Sequence, residues 1–371
     1  MTDFWKGKNI VVTGCASFIG SHLCEELVRR GARVWGYDDL SSGKLENLSS
    51  LVNMSGASLD KFWGASLTDK FEFWFGDLFQ IENRFWGWIQ PLDAVFHLAA
   101  VHGGRGYVDR QQALISSNFA LDQLCFYSAQ KANAKKIVFA SSGCVYPNYL
   151  QKDPNDPIYL EETDVPGIDK LCPNYLQNQG YDADGIYGWA KLMAEFTLQA
   201  FHKAYGMDTC SCRYFTAYGP RAKEDHAVMA MIARAYSKQD PFEIWGDGTQ
   251  IRNWTYIDDI VNGTLLAAEK ITDGRGVNIG TMERTSVEQA AFRIMGLYNS
   301  PRINIKYLLD MPTGPMNRVA SNELIKSLGY GEFISFDEGI QKTIDWYVNT
   351  KTPEQAAQIL KEGSLIDGRA R

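Results

Sequence analysis

Residues 8–31, "KNIVVTGCASFIGSHLCEELVRRG", place an apolar β-branched run, a glycine turn and an amphipathic helical stretch in direct succession. A second strand pattern, "ARVWGYD", follows at once. A strand that feeds a helix and returns to a neighbouring strand predicts a parallel sheet, because the crossover brings the chain back in the same direction. The pattern continues with "FEFWFGD", "DAVFHLA", "KKIVFAS" and, after a helical stretch at 186–205, a strand over 208–214. Most of these runs are separated by helical patterns. The expectation is an α/β chain with a doubly wound parallel sheet, and ligands at the carboxyl ends of its strands.

The first turn then reads as chemistry. Gly14 allows the tight bend, and Gly20 lets the helix pack close to the strand. The helix opens at Ser17, Phe18 and Ile19 with free N–H groups and a dipole that favour a pyrophosphate. Ser17 stands where a middle glycine is usual, so the glycines alone are weak evidence. Asp38 strengthens them. It lies 18 residues past Gly20, at the end of the second strand, where a carboxylate can hold the adenine ribose hydroxyls. That carboxylate would repel a 2′-phosphate, and no arginine directly follows it, so NAD is expected rather than NADP.

The 371-residue chain is long for one simple core, and the bulk numbers exclude several alternatives. A net charge of −7 argues against a nucleic-acid surface. No run approaches the roughly 18 apolar residues of a membrane helix. A strand begins almost at the N-terminus, leaving no room for a signal peptide, and seven cysteines without metal spacing suit a reducing cytoplasm. No metal site is expected. Residues 49–70 and 148–185 read as insertions; the second holds four prolines and suits a functional lid. Residues 1–185 are taken as the nucleotide-binding domain, with segments returning near 208–220 and 250–270, and 186–371 mainly as a smaller α/β lobe for substrate.

"YGWAK" sets Tyr187 and Lys191 about one helical turn apart, on one face. The Lys191 ammonium is expected to draw the Tyr187 phenol toward neutrality, so that it can take a proton from a sugar or alcohol hydroxyl while hydride leaves for a nicotinamide. Ser142, at the end of the strand before "SSGCVYP", offers a hydroxyl to the same oxygen.

At this point the chain resembles the extended short-chain dehydrogenase/reductases that act on nucleotide sugars. "TGCASFIG", "DDLSSGKLENL", "GDL" at 76–78, "HLAA", "SSGCVY", "YGWAK", "RYFTAYGPR" and "WGDGTQIRNWTYIDDIV" occur in that family's order over about residues 8–345. The resemblance implies a Rossmann-type fold, bound NAD, and Ser142, Tyr187 and Lys191 as catalytic groups. Asp77 and Leu78 should flank the adenine. Leu98, Ala99 and Ala100 should line the ribose and phosphates, with Asn118 and Tyr214 also on the cofactor. Arg252 and Arg318 should bind a substrate diphosphate. Thr216 replaces an asparagine common in the family, and Trp245 is a candidate wall of the nucleotide pocket. The family usually dimerises, and helices at 112–131 and 186–205 are the candidates.

Gly143 and Cys144 follow the catalytic serine. Dehydratases of the family carry an Asp-Glu pair there, and decarboxylases a glutamate. Cys144 and "HGGRGYV", with Gly103, Gly104 and Arg105, instead resemble branches that move protons beside a 4-keto sugar. In those branches a lysine or histidine after "YGP" works with the cysteine, and Lys223 and His226 fall in that window. Against this stands the bland alternative that a free cysteine near a strand end is a small buried hydrophobe. The reading is an NAD-dependent nucleotide-sugar epimerase acting at C3 and C5 through a transient 4-keto sugar. The alternatives are a UDP-sugar 4-epimerase and an epimerase/reductase of a 4-keto-deoxy sugar. A cytoplasmic homodimer with a nucleotide-sugar substrate is expected.

Overall fold

The computed structural model describes residues 3–52, 69–80, 86–165, 167, 181–298 and 304–366. Most of the 49–70 insertion, and the stretch 168–180 of the longer one, lie outside the described residues. Six strands open the architecture: β1 (Asn9–Thr13), β2 (Arg33–Asp38), β3 (Phe71–Phe75), β4 (Ala94–His97), β5 (Lys136–Ser142) and β6 (Asp208–Tyr214). With the strand Asp273–Ile279 they form one seven-stranded sheet, in the order β3, β2, β1, β4, β5, β6, then Asp273–Ile279, every pairing parallel. This is the expected Rossmann-type doubly wound sheet.

Burial explains the near-continuous apolar strands, since a parallel sheet is covered on both faces. Ile10 and Val12 join the core under the helix Phe18–Arg29, with Leu23 and Leu27. Val11, between them, joins the opposite core with Val95, Ile137, Phe126 and Leu198. Helices Asn118–Lys131 and Gly185–Tyr205 cover that second face.

The order reverses between β1 and β4, where a crevice opens at their carboxyl ends. A smaller lobe follows from three short strands: Ile251–Arg252 lies between Thr285–Ser286 and Asn317–Arg318. Arg252 and Arg318 are register partners in the parallel pair. Neighbours across a parallel pair project to the same face, so this small sheet aims two guanidinium groups together.

Candidate active site

The crevice is lined by Gly14, Ser17, Asp38, Asp77, Leu78, Leu98, Ala99, Ala100 and His102, among others. Gly14 has φ +71°, and a Cβ there would lie 2.8 Å from the Ala99 nitrogen. Its bare Cα lets the turn pass against the end of β4. Among the described residues, no side chain caps the helix that starts at Phe18. The Ser17 hydroxyl donates back to the Gly14 carbonyl at 2.6 Å. Phe18 and Ile19 pack their side chains on the core and leave the first turn's N–H groups to the crevice.

Asp38 is buried, with Oδ2 accepting from Ala16 N at 2.9 Å and Oδ1 from Leu40 N at 2.8 Å. Burial outweighs those donors and pushes its carboxyl up to about 6. A glycine cradle, an open helix N-terminus and a fixed carboxylate at the next strand end are what a dinucleotide requires, so these residues fit NAD.

Other expected cofactor residues serve it differently. Asn118 is fully buried, and its amide spans Val101, accepting from its N–H at 2.8 Å and donating to its C=O at 2.9 Å. It holds the loop after β4 and spends its polar atoms there. The Tyr214 hydroxyl bonds to Thr264 at 2.9 Å. Sequence reasoning missed a buried chain at the same place: His97 joins Thr13 Oγ1 at 2.8 Å and Asp122 Oδ1 at 2.9 Å, tying β1, β4 and a helix together. Residues so distant in sequence carry no local spacing that could have revealed it.

Ser142 ends β5, in register with Tyr214. Its hydroxyl lies near enough to the Tyr187 phenol to act on it, and accepts from Cys144 N at 3.2 Å. The helix Gly185–Tyr205 comes this close because residue 188 is glycine: a Cβ there would stand 2.3 Å from the Cys144 carbonyl. Lys191 is buried, with Nζ 4.5 Å from the Phe139 ring centroid and 5.7 Å from that of Tyr187. One expectation is corrected here. Burial holds the Tyr187 phenol well above its usual range, with negative charge at Cys144 and Asp122 adding to it and the Ser142 hydroxyl opposing. Burial also lowers the Lys191 ammonium, so in this structure the lysine does not bring the phenol toward neutrality.

Cys144 is partly exposed, and its Sγ accepts from Arg318 Nη1 at 3.1 Å. Arg318 also reaches Asp184 Oδ2 at 2.9 Å, and Arg105 Nη1 reaches the same oxygen at 2.7 Å. Burial works against the Asp184 carboxylate, but Arg318 and Arg105 outweigh it and hold the group below the usual range. Arg252 donates to the carbonyls of Ile251 at 2.8 Å and Thr313 at 2.9 Å. Burial, with Arg318 and Arg105 close by, pushes its guanidinium down to about 9. Three arginines thus surround one carboxylate, which leaves an excess of positive charge suited to an anion. Asp184 was not foreseen. An aspartate just before a helix at 186 reads as an ordinary N-cap, but its side chain caps nothing and turns to the arginines.

The remaining expected groups surround this cluster. Gly104 packs so closely on Asp225 that a Cβ would lie 2.1 Å from its carbonyl, and a Cβ on Gly103 would lie 2.9 Å from the Tyr107 ring. His226 has its ring 6.4 Å from that of His102 and its Nε2 3.7 Å from Asp225 Oδ1. Lys223 donates to Ser42 Oγ at 3.0 Å and acts on Asp38, at the cofactor end of the crevice. Thr216 has φ +34°, a left-handed conformation more natural to the asparagine it replaces. Trp245 is partly buried at the end of the strand Phe242–Trp245, next to Gly246, whose Cβ would meet Thr313.

Comparison with known proteins agrees with this geometry. The chain is 28% identical to GDP-mannose 3,5-epimerase of Arabidopsis thaliana, over 95% of this chain and 86% of that one. It is also 28% identical to UDP-N-acetyl-alpha-D-glucosaminuronate decarboxylase of Bacillus cytotoxicus, over 92% of this chain and 98% of that one. Its fold matches the crystal structure of UDP-glucuronic acid 4-epimerase from Bacillus cereus, in complex with UDP-glucuronic acid and NAD. The TM-score is 0.75 at 25% identity, covering 92% of this chain and all of that one. The model of the NAD dependent epimerase/dehydratase family matches residues 10–280, and the chain, with its glycine crevice and its Ser142–Tyr187 pair, belongs to that family.

Proposed function

We propose that this protein is a nucleotide-sugar epimerase that inverts C3 and C5 of its sugar through a transient 4-keto form, as the name of its plant relative describes. The observation that carries the reading is the position of Cys144. Its thiol sits two residues past Ser142, against the catalytic helix and beside three arginines. NAD, when bound, accepts and later returns a hydride. Gly14, Ser17, Asp38, Asp77, Leu78 and Leu98 to Ala100 hold it. Tyr187 is the group assigned to take the proton from the sugar C4 hydroxyl, with the Ser142 hydroxyl beside the phenol. Lys191 is buried beneath, with Nζ 5.7 Å from the centre of the phenol ring. Arg252 and Arg105 receive the diphosphate.

A 4-keto group acidifies its neighbouring carbons, and Cys144 exchanges the proton on one face. His226 is the candidate for the other face, since Lys223 is engaged with Ser42. Among the described residues, neither is in contact with the Cys144 sulfur. That separation favours a second reading, 4-epimerisation of a UDP-sugar, which needs no such partner.

Incubation with GDP-mannose, UDP-glucose and UDP-glucuronate in D2O, followed by NMR, tests both. Deuterium at C3 and C5, lost in Cys144→Ser with 4-oxidation retained, supports the first reading. A C4 epimer free of carbon-bound deuterium supports the second and removes the first.

A further inference from the structure

Arg318 has little freedom. Its Nε donates to Gln151 Oε1 at 2.6 Å, Nη2 to Asp184 Oδ2 at 2.9 Å and Nη1 to Cys144 Sγ at 3.1 Å. Asp184 is held in turn by Arg105, and its own N–H donates to the Cys144 carbonyl at 2.9 Å. The contacts close a ring through the end of β5, the start of the helix Gly185–Tyr205 and the strand Asn317–Arg318. A cation in hydrogen-bond contact with sulfur favours thiolate over thiol.

We propose that Arg318 is the charge partner of Cys144, and that Asp184 and Gln151 are positioning residues that aim its guanidinium at the sulfur. The inference rests on Cys144 acting as an acid/base group. Every charged or titratable neighbour is consistent with it. Arg318 and Arg252 face Cys144 from the paired short strands, and Lys191 and Tyr187 from the catalytic helix. Asp184 acts through Arg318. Arginines outnumber the carboxylate of Asp184. The residue is partly exposed.

The test is alkylation by iodoacetamide of the full-length protein without substrate, read by mass spectrometry on the Cys144 peptide. Arg318→Gln is expected to slow alkylation at pH 7 about tenfold, and Arg318→Lys to recover part of the rate. Gln151→Leu changes no charge and is expected to slow it about threefold through lost aim; it carries the test if Arg318→Gln does not fold. Asp184→Ala gives a test of sign. Coulomb's law alone has loss of a nearby carboxylate speed alkylation, whereas loss of aim slows it. Unchanged rates in Arg318→Gln or Gln151→Leu, or a faster rate in Asp184→Ala, overturn the proposal. Failure of the acid/base role of Cys144 appears separately, as full carbon exchange in Cys144→Ser, and failure of the C3/C5 reading as wild-type turnover without carbon-bound deuterium.

Discussion

Gly20 faces the carbonyl of Gly14 so closely that a Cβ on residue 20 would lie 2.0 Å from that oxygen. The opening helix is therefore seated on the turn that precedes it, and the contact sets where its N–H groups point. Neither Gly14 O nor the helix backbone can retreat cheaply, so Gly20→Ala is expected to destabilise the fold by about 1–3 kcal/mol, as overpacking generally does. Urea unfolding measures this. NAD affinity should fall in the same variant, because the turn itself must shift.

The Asp38 carboxyl, raised by burial to about 6, makes NAD binding pH-dependent. Only the carboxylate accepts from both ribose hydroxyls. As pH falls through 6 the folded protein takes up the proton, so affinity should decline below pH 6 and level off above pH 7. For stability the sign is opposite. A raised carboxyl pKa means the folded state binds its proton more tightly than the unfolded chain, so this group's contribution grows as pH drops toward 4. Calorimetric titration of NAD between pH 5 and 8 checks the first effect. Asp38→Asn should flatten the curve and relax discrimination against NADP.

Arg252 is half-buried beside two other guanidinium groups, and its hydrogen bonds go to carbonyls rather than to a carboxylate. An anion between the arginines relieves that repulsion. Arg252→Met should weaken binding of a nucleoside diphosphate about tenfold or more, near 1.4 kcal/mol. NAD affinity should stay unchanged, because Arg252 does not line the crevice at Gly14. Competition titrations with GDP and UDP on the wild type and the variant separate the two sites.

Tyr187 and Ser142 lie close enough for the serine hydroxyl to act on the phenol. Tyr187→Phe is expected to reduce turnover 100- to 10,000-fold, the usual range for loss of a general base. Sugar-nucleotide binding should stay within a few fold. Steady-state kinetics with equilibrium binding checks the split between kcat and affinity.

The helices Asn118–Lys131 and Gly185–Tyr205 leave large apolar side chains exposed, among them Phe119, Tyr127, Trp189 and Met193. Gln123 and Thr197 join the two helices by a 2.7 Å hydrogen bond, so the apolar face is carried on one rigid pair. A second copy is expected to bury this face, which would give a homodimer. Light scattering after gel filtration should give twice the chain mass of 41.7 kDa, and Trp189→Glu with Met193→Glu should give the monomer.

Local signals account for much of what could be read from the residues in order. The β-branched runs, the Gly14–Gly20 turn and the four-residue step from Tyr187 to Lys191 depend on neighbours in sequence, where backbone sterics and side-chain periodicity act directly. They determined the parallel sheet, the cofactor crevice and the helix that carries Tyr187 and Lys191. The tertiary structure decided the rest. Arg252 and Arg318 meet only because two short strands pair in register, and Asp184 turns from a helix cap into their counter-charge only once that pair is in place. Lys223 and His226 both fall in the sequence window for a partner of Cys144, with His226 the stronger candidate, and the fold carries Lys223 to Ser42. The Tyr187 phenol was expected near neutrality from its lysine, yet burial outweighs that charge. Burial and long-range pairing are properties of the packed chain, and they change with every residue brought in from a distance. Spacing along the sequence therefore reveals which groups are available, while desolvation and charge in three dimensions decide what each of them does.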